Sequence, residues 1–273
     1  MLRKLPRLIT VLLSLFFFLP TKVSAAYGLT SADASSTLED ATRANSIKVV
    51  LVASALITIF VVLTFLFKNA SGLLKKILFV GIVVPTLLAS VFLAGSTVRL
   101  NLASSSGGPV HWHAQFEIWD CGKKLDIIDP KGFSNKVGTA ALHEHNDGWI
   151  HLEGVIIDQK DASLGKFFQV VGGQLTSTSL EVPTNSGVVS RQNGDLCPDG
   201  IPGSLQVFVD QTEGKIFTQK KLDDPGSYVL SPHGRIPPGD CIIVEFGSED
   251  KEKTEKLCEQ YKLQVLKGNL YGN

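Results

Sequence analysis

The chain has 273 residues, 44% of them hydrophobic, and its 26 basic and 26 acidic side chains cancel. Balanced charge without a basic stripe leaves no electrostatic footprint for nucleic acid. The length accommodates one ordinary domain plus a more apolar part, and the apolar part is all at the front.

Residues 1–26, "MLRKLPRLITVLLSLFFFLPTKVSAA", have a basic start (Arg3, Lys4, Arg7), an apolar run from Leu8 to Leu19, then Pro20 and small residues. That layout reads as a signal peptide cut after Ala25 or Ala26. The apolar run is short for a bilayer span; an uncleaved signal anchor is the alternative.

A short external segment is expected at 27–46, followed by two runs of nineteen residues without a charge, Val49–Phe67 and Ile77–Gly95. Each covers roughly 28 Å as a helix, about the thickness of the hydrocarbon layer, which predicts transmembrane helices at 47–67 and 77–95. Pro85 is tolerable inside a membrane helix. The loop 68–76 carries Lys68, Lys75 and Lys76 and no acid, which places it in the cytoplasm, although Arg43, Lys48 and Arg99 temper the bias. With the signal cleaved, both ends of the hairpin then lie outside. The two nineteen-residue runs contain no ionisable residue, so they read as an anchor in the lipid bilayer rather than an ion path.

Residues 96–106 read as a Ser-containing linker, and 107–273 as a mainly β (α+β) extracytoplasmic domain. "VHWHAQFEIW" alternates Trp112, Ala114, Phe116 and Ile118 against His111, His113, Gln115 and Glu117, the period of a half-buried strand. "GWIHLEGVII" repeats the pattern, with Ile150, Leu152 and Ile156 opposing Trp149, His151, Glu153 and Val155. "SLGKFFQVVGG" predicts a short helix capped by Ser163 and stopped at Gly172 or Gly173. "SLQVFVD" and "DCIIVEFG" read as strands, with turns at Glu213-Gly214 and Pro238-Gly239. "SEDKEKTEKLCEQY" reads as a charged helix capped by Ser248, with Leu257 and Tyr261 on its apolar side.

All four cysteines, Cys121, Cys197, Cys241 and Cys258, fall in the outer domain. In an oxidising compartment they predict two disulfides, with three pairings open; buried free thiols are the alternative.

Five of the six histidines, His111, His113, His143, His145 and His151, lie within 41 residues. On a strand, residues i and i+2 point the same way about 7 Å apart, so His-x-His can close two imidazoles on one ion. Two such pairs and a fifth ring predict a metal site; rings that bond backbone or face solvent are the alternative. The single methionine is Met1 and no cysteine has zinc-finger spacing, so imidazole ligation suits a divalent transition metal, copper or zinc, with non-haem iron or manganese also open. Glu117, Glu144, Asp147 and Glu153 are candidates for a further ligand, a partner of the ring N–H groups or a general base. Glu144, opposite to its neighbours on a strand, is the expected outsider.

"HWHAQFE" resembles the first cupin motif, which implies His111, His113 and Glu117 as ligands with a histidine of "HEH" as the fourth. The glycine expected six residues after the Glu, and the Pro-x-Gly before the last histidine, are absent. A second resemblance is to a prokaryotic group of membrane-anchored extracytoplasmic proteins of unestablished activity. It rests on His111 and His113; on His143, His145, Asn146, Ile150, His151 and Glu153; on Leu164, Gly165, Phe167 and Phe168; and on Ile243, Glu245, Phe246 and Gly247. Trp149 adds one residue to that spacing, and Asn146 stands where Asp is commoner. This resemblance implies a prokaryotic cell membrane protein with its C-terminal domain outside the cytoplasm, and no reaction. Three functions stand at this point: a non-enzymatic metal-binding module, a membrane-tethered metalloenzyme of cupin-like or hydrolytic type, or a structural domain that meets an envelope protein partner.

Overall fold

Two long helices precede the sheet domain. The structure is a computed structural model that describes residues 38–133, 135–231, 237 and 239–272; the expected signal peptide lies outside them. Helix α1 spans Leu38–Leu66 and α2 spans Gly72–Ala103, and both are long and apolar enough to cross a membrane. Leu51, Val62, Phe65, Phe79, Leu88 and Val91 are exposed, an apolar surface that water would not tolerate at this extent. The polar side chains along them bond inward: Thr58, Thr64, Thr86 and Ser90 each donate to the carbonyl four residues back. Gly81 lies under the Phe60 ring, where a Cβ would stand 2.5 Å away, the close approach that small residues permit between membrane helices.

Helix α2 continues through 96–103, where a linker was expected. "STVRLNLA" contains no helix breaker, so the helix ends only at the serine run. There Ser105 donates its N–H to the Ile156 carbonyl at 2.9 Å, and the Ser104 and Ser105 hydroxyls bond the same oxygen. The helix end is therefore tied directly to the sheet domain.

The strands are β1 (Pro109–Asp120), β2 (Lys123–Leu125), β3 (Val137–Gly138), β4 (Leu142–Glu144), β5 (Trp149–Val155), β6 (Gln174–Leu175), β7 (Ser179–Thr184), β8 (Gly187–Gln192), β9 (Ser204–Glu213), β10 (Ile216–Lys221), β11 (Cys241–Gly247) and β12 (Tyr271–Gly272). Two short helices, α3 (Leu164–Val170) and α4 (Glu259–Leu266), complete the domain. Nine strands form one sheet in the order β12-β10-β9-β11-β1-β5-β4-β3, with β2 added on β1. The pairs β1/β11 and β10/β12 are parallel and the rest antiparallel. Strands β6, β7 and β8 make a separate antiparallel sheet.

One face of the large sheet presents Ala114, Phe116, Ile118, Ile150, Leu152 and Val244 to Leu164, Phe167 and Phe168 of α3 and to Leu180 and Val182 of β7. The other face carries Phe208, Cys241 and Ile243 under Cys258, Tyr261 and Leu270. Strand β11 is covered on both sides, which is why "CIIVEF" is a nearly continuous apolar run rather than an alternating one. Buried aromatics such as Phe167 and Phe168 each contribute about 1.5–3 kcal/mol.

Helix α3 forms as its sequence predicts, with the Ser163 hydroxyl accepting from the Lys166 N–H at 3.2 Å. Its second residue has to be glycine. A Cβ on Gly165 would stand 2.6 Å from the Gly226 carbonyl oxygen, a backbone atom that cannot swing aside. Gly165→Ala is therefore expected to destabilise the domain by about 1–3 kcal/mol through overpacking, read as a lowered denaturation midpoint of the full chain in detergent. An unchanged midpoint would contradict this packing.

The charged helix expected from Ser248 does not form there; α4 starts at Glu259, after Cys258. The reason is Glu245, a buried carboxylate. It accepts from Lys256 Nζ at 2.7 Å and from the Thr254 hydroxyl at 3.0 Å, while the backbone N–H groups of Lys251 and Thr254 donate to Gln206 and Gln219. Residues 248–258 are thereby held against β9, β10 and β11 as an irregular segment, which the Cys241–Cys258 disulfide ends. The second disulfide joins Cys121 to Cys197, which resolves the pairing and leaves no free thiol.

Candidate metal centre

Strand register brings the histidines together. His113 on β1 is paired with His151 on β5, and His151 with His143 on β4, so three rings line up across three strands on one face. His111 precedes His113 by two residues on that face, opposite Glu153. His145 follows β4 at the other end. Helix α4 covers the same face beyond Gln115, whose side-chain oxygen accepts from the Gln260 N–H at 2.9 Å. The histidines thus occupy the part of the face that α4 leaves open.

The backbone under the site is tightly fitted. Gly239, at φ +80°, passes so close to β1 that a Cβ would stand 1.5 Å from the His113 carbonyl oxygen. The turn between β4 and β5 is organised by its own carboxylates. Glu144 accepts from the N–H of Asp147 at 2.8 Å, and Asp147 accepts from the N–H of Trp149 at 3.0 Å. Asn146 sits at φ +64°, a conformation asparagine adopts more readily than most residues.

All five rings form one connected cluster. Ring centroids are 4.6 Å apart for His111/His113, 4.8 Å for His113/His151, 5.6 Å for His143/His151, 4.8 Å for His145/His151 and 4.7 Å for His143/His145. Ring nitrogens of His111, His113 and His151 all lie within 4.8 Å of one another, an arrangement that suits a metal ion. Two nitrogens bound to one tetrahedral ion at ~2.0–2.1 Å stand about 3.3 Å apart. The His111 and His113 Nε2 atoms are 3.1 Å apart, so that pair needs almost no movement. Closing the widest separation needs ring shifts of about an ångström.

Neighbouring groups set the tautomers. His145 Nδ1 lies against the Asn135 carbonyl, which can only accept, so its proton is on Nδ1 and its lone pair on Nε2. His151 Nε2 is 3.1 Å from Asp147 Oδ2 and His111 Nε2 is 3.4 Å from Glu153 Oε1. Asp147 so placed orients the His151 ring and raises its basicity if the ion takes the other ring nitrogen, whereas Glu153 lies against the same His111 Nε2 that faces His113 and is placed as a further ligand. Burial, reinforced by the neighbouring His151 and His111, pushes the His113 pKa down. Burial, with Lys136 adding to it, pushes that of His143 down to about 4. Both rings are therefore neutral at pH 7, as metal ligation requires.

The His143 shift carries a stability signature. Between pH 6.5 and about 4 the unfolded chain takes up a proton that the native ring refuses, so this contribution to stability falls as pH drops through that window, by about 2–3 kcal/mol. Asp210 acts in the opposite sense: burial raises its pKa to about 7, so its contribution is present below the unfolded value and is lost as pH rises toward 7. The difference between metal-free wild type and His143→Leu isolates the histidine, and denaturation midpoints from pH 7 to 4 should fall less steeply in the variant. Parallel profiles would contradict the burial of a neutral ring.

Two candidates fall elsewhere. Glu117 lies about 13 Å further along β1 than His113, buried, and accepts from Lys124 Nζ at 3.0 Å and Trp119 Nε1 at 3.1 Å. The ligand set that the cupin motif implies is therefore not assembled. Glu144 points away from the rings, as expected. The Asn135 carbonyl is a contributor without a sequence signal, because every residue carries that group.

No known protein family, curated protein or solved structure matches this chain. All four cysteines are in disulfides, so no thiolate competes with imidazole as a ligand. A cavity of ≈ 420 Å³ at the far end of β1 is lined by Cys121, Cys197, Glu245 and Lys256 and includes none of the five histidines.

Proposed function

We propose that the protein is a membrane-anchored metal-binding module of the prokaryotic cell envelope, with its sheet domain outside the cytoplasm and copper(II) or zinc(II) as its ion. The observation that carries this reading is the convergence of three ring nitrogens, from His111, His113 and His151, within 4.8 Å. Glu153 and Asp147 balance the charge, and Asp147 orients the His151 ring. Two disulfides fit an oxidising compartment, and the two apolar helices fit a bilayer anchor. Imidazole ligands without thiolate or thioether favour copper(II) over zinc(II) in affinity by the usual order for divalent ions. The role proposed is binding rather than catalysis.

The test uses the full chain in detergent, stripped with a chelator and titrated separately with copper(II) and zinc(II). His111→Ala/His113→Ala is expected to weaken binding at least about 100-fold, since partners outside the ligand set alone are worth 10–100-fold. Equal affinity in wild type and variant would overturn the assignment. A second reading, a metalloenzyme, is favoured by one observation: the His111 side chain is 63% exposed, which gives solvent a path to the ion. Its signature is metal-dependent hydrolysis of activated esters that His111→Ala/His113→Ala removes.

A further inference from the structure

The cluster contains more imidazole than one ion uses. We infer that it holds two ions: one at His111, His113 and His151, and a second at His143 and His145, on the other side of the His151 ring. This rests on the metal-binding reading above and extends it.

Two observations place the second ion. The Nε2 atoms of His143 and His145 face each other at 3.2 Å, as do those of His111 and His113 at 3.1 Å, both near the separation of about 3.3 Å that one tetrahedral ion imposes on two nitrogens. The Asn135 carbonyl fixes the His145 proton on Nδ1, so the lone pair of that ring is held toward its partner.

Separation into two centres follows from the sheet. His151 stands between the pairs, 4.8 Å from His113 on β1 and 5.6 Å from His143 on β4. The pairs also diverge along the strands: His111 lies toward Glu153 at one end, and His145 lies beyond β4 at the other. The mutually close group of His111, His113 and His151 does not extend to His143 or His145. Two adjacent cations need compensating charge, and the site supplies it: Glu153 lies 3.4 Å from His111 and Asp147 lies 3.1 Å from His151. Half-exposed His145 gives solvent access to complete the second coordination shell. Without metal, each facing pair is explained by a single shared proton.

Equilibrium dialysis of the full chain against zinc(II), with metal and protein measured in the same sample, decides the number. Two ions per chain are expected in wild type, falling to one in His143→Gln/His145→Gln and to one in His111→Gln/His113→Gln. One ion in wild type that either double substitution abolishes would mean a single shared centre and overturn the proposal. One ion lost only with His111 and His113 would overturn it too, while leaving the metal-binding reading intact; no ion in wild type would sink both. His143 is buried, so His145→Gln alone is run beside the double variant; it must also reduce the count to one, with an unchanged metal-free melting temperature. With copper(II) the wild type should show the half-field resonance of a close pair, and either double variant should lack it.

Discussion

His151→Ala should disable the centre formed by His111, His113 and His151. His151 is the one ring in contact with three others, His113, His143 and His145, and it supplies the third nitrogen of the group that suits an ion. It is also the ring that Asp147 orients, at 3.1 Å. Its loss leaves His111 and His113 as a two-nitrogen site on an exposed strand end, and we expect zinc(II) affinity to fall at least about 100-fold. Asp147→Asn, which keeps the turn but removes the charge, should weaken binding by about 10-fold, the lower end of the range for such partners. Competition against a chromophoric chelator measures both. If His151→Ala bound as tightly as wild type, the ion would have to sit on one of the His-x-His pairs alone.

The second large effect is on stability. The Cys121–Cys197 disulfide closes a separation of 76 residues, for which loop-closure entropy predicts about 4–5 kcal/mol; Cys241–Cys258, over 17, predicts about 3 kcal/mol. Domains of this size are stable by only about 5–15 kcal/mol in total, so Cys121→Ser/Cys197→Ser should bring the domain close to unfolding. The bridge also ties the end of β1 to the segment between β8 and β9, where Arg191 donates to both Asp120 carboxylate oxygens at 2.7 and 2.9 Å. Urea denaturation of the detergent-solubilised chain, oxidised and with each pair replaced, gives the two values. A loss below 1 kcal/mol for the longer loop would contradict the entropic account.

Much of this is legible in the sequence. Alternation in "HWHAQFEIW" and "GWIHLEG" placed the histidines on strand faces, and the register of β1, β5 and β4 makes those faces one. The Ser163 cap and the apolar spacing of Leu164, Phe167 and Phe168 gave α3 correctly. What the pattern did not carry was partnership at a distance. The segment 248–258 has helical composition, but its lysines and Thr254 are held by buried Glu245 on β11, a contact that no local period encodes. Glu117 follows the histidines at ligand-like spacing, and only the position of Lys124 shows that its charge is already matched. The serine-containing stretch after Gly95 reads as a linker by composition, yet nothing in it breaks a helix before Ser104.

The central claim is that histidine nitrogens on one sheet face bind a metal. X-ray absorption at the zinc edge of the metal-loaded full chain tests it most directly. The account predicts a first shell of nitrogen at about 2.0–2.1 Å with the outer-shell scattering of at least two or three imidazole rings, lost in His111→Ala/His113→Ala/His151→Ala. A shell of oxygen alone, or one unchanged by those substitutions, would contradict it.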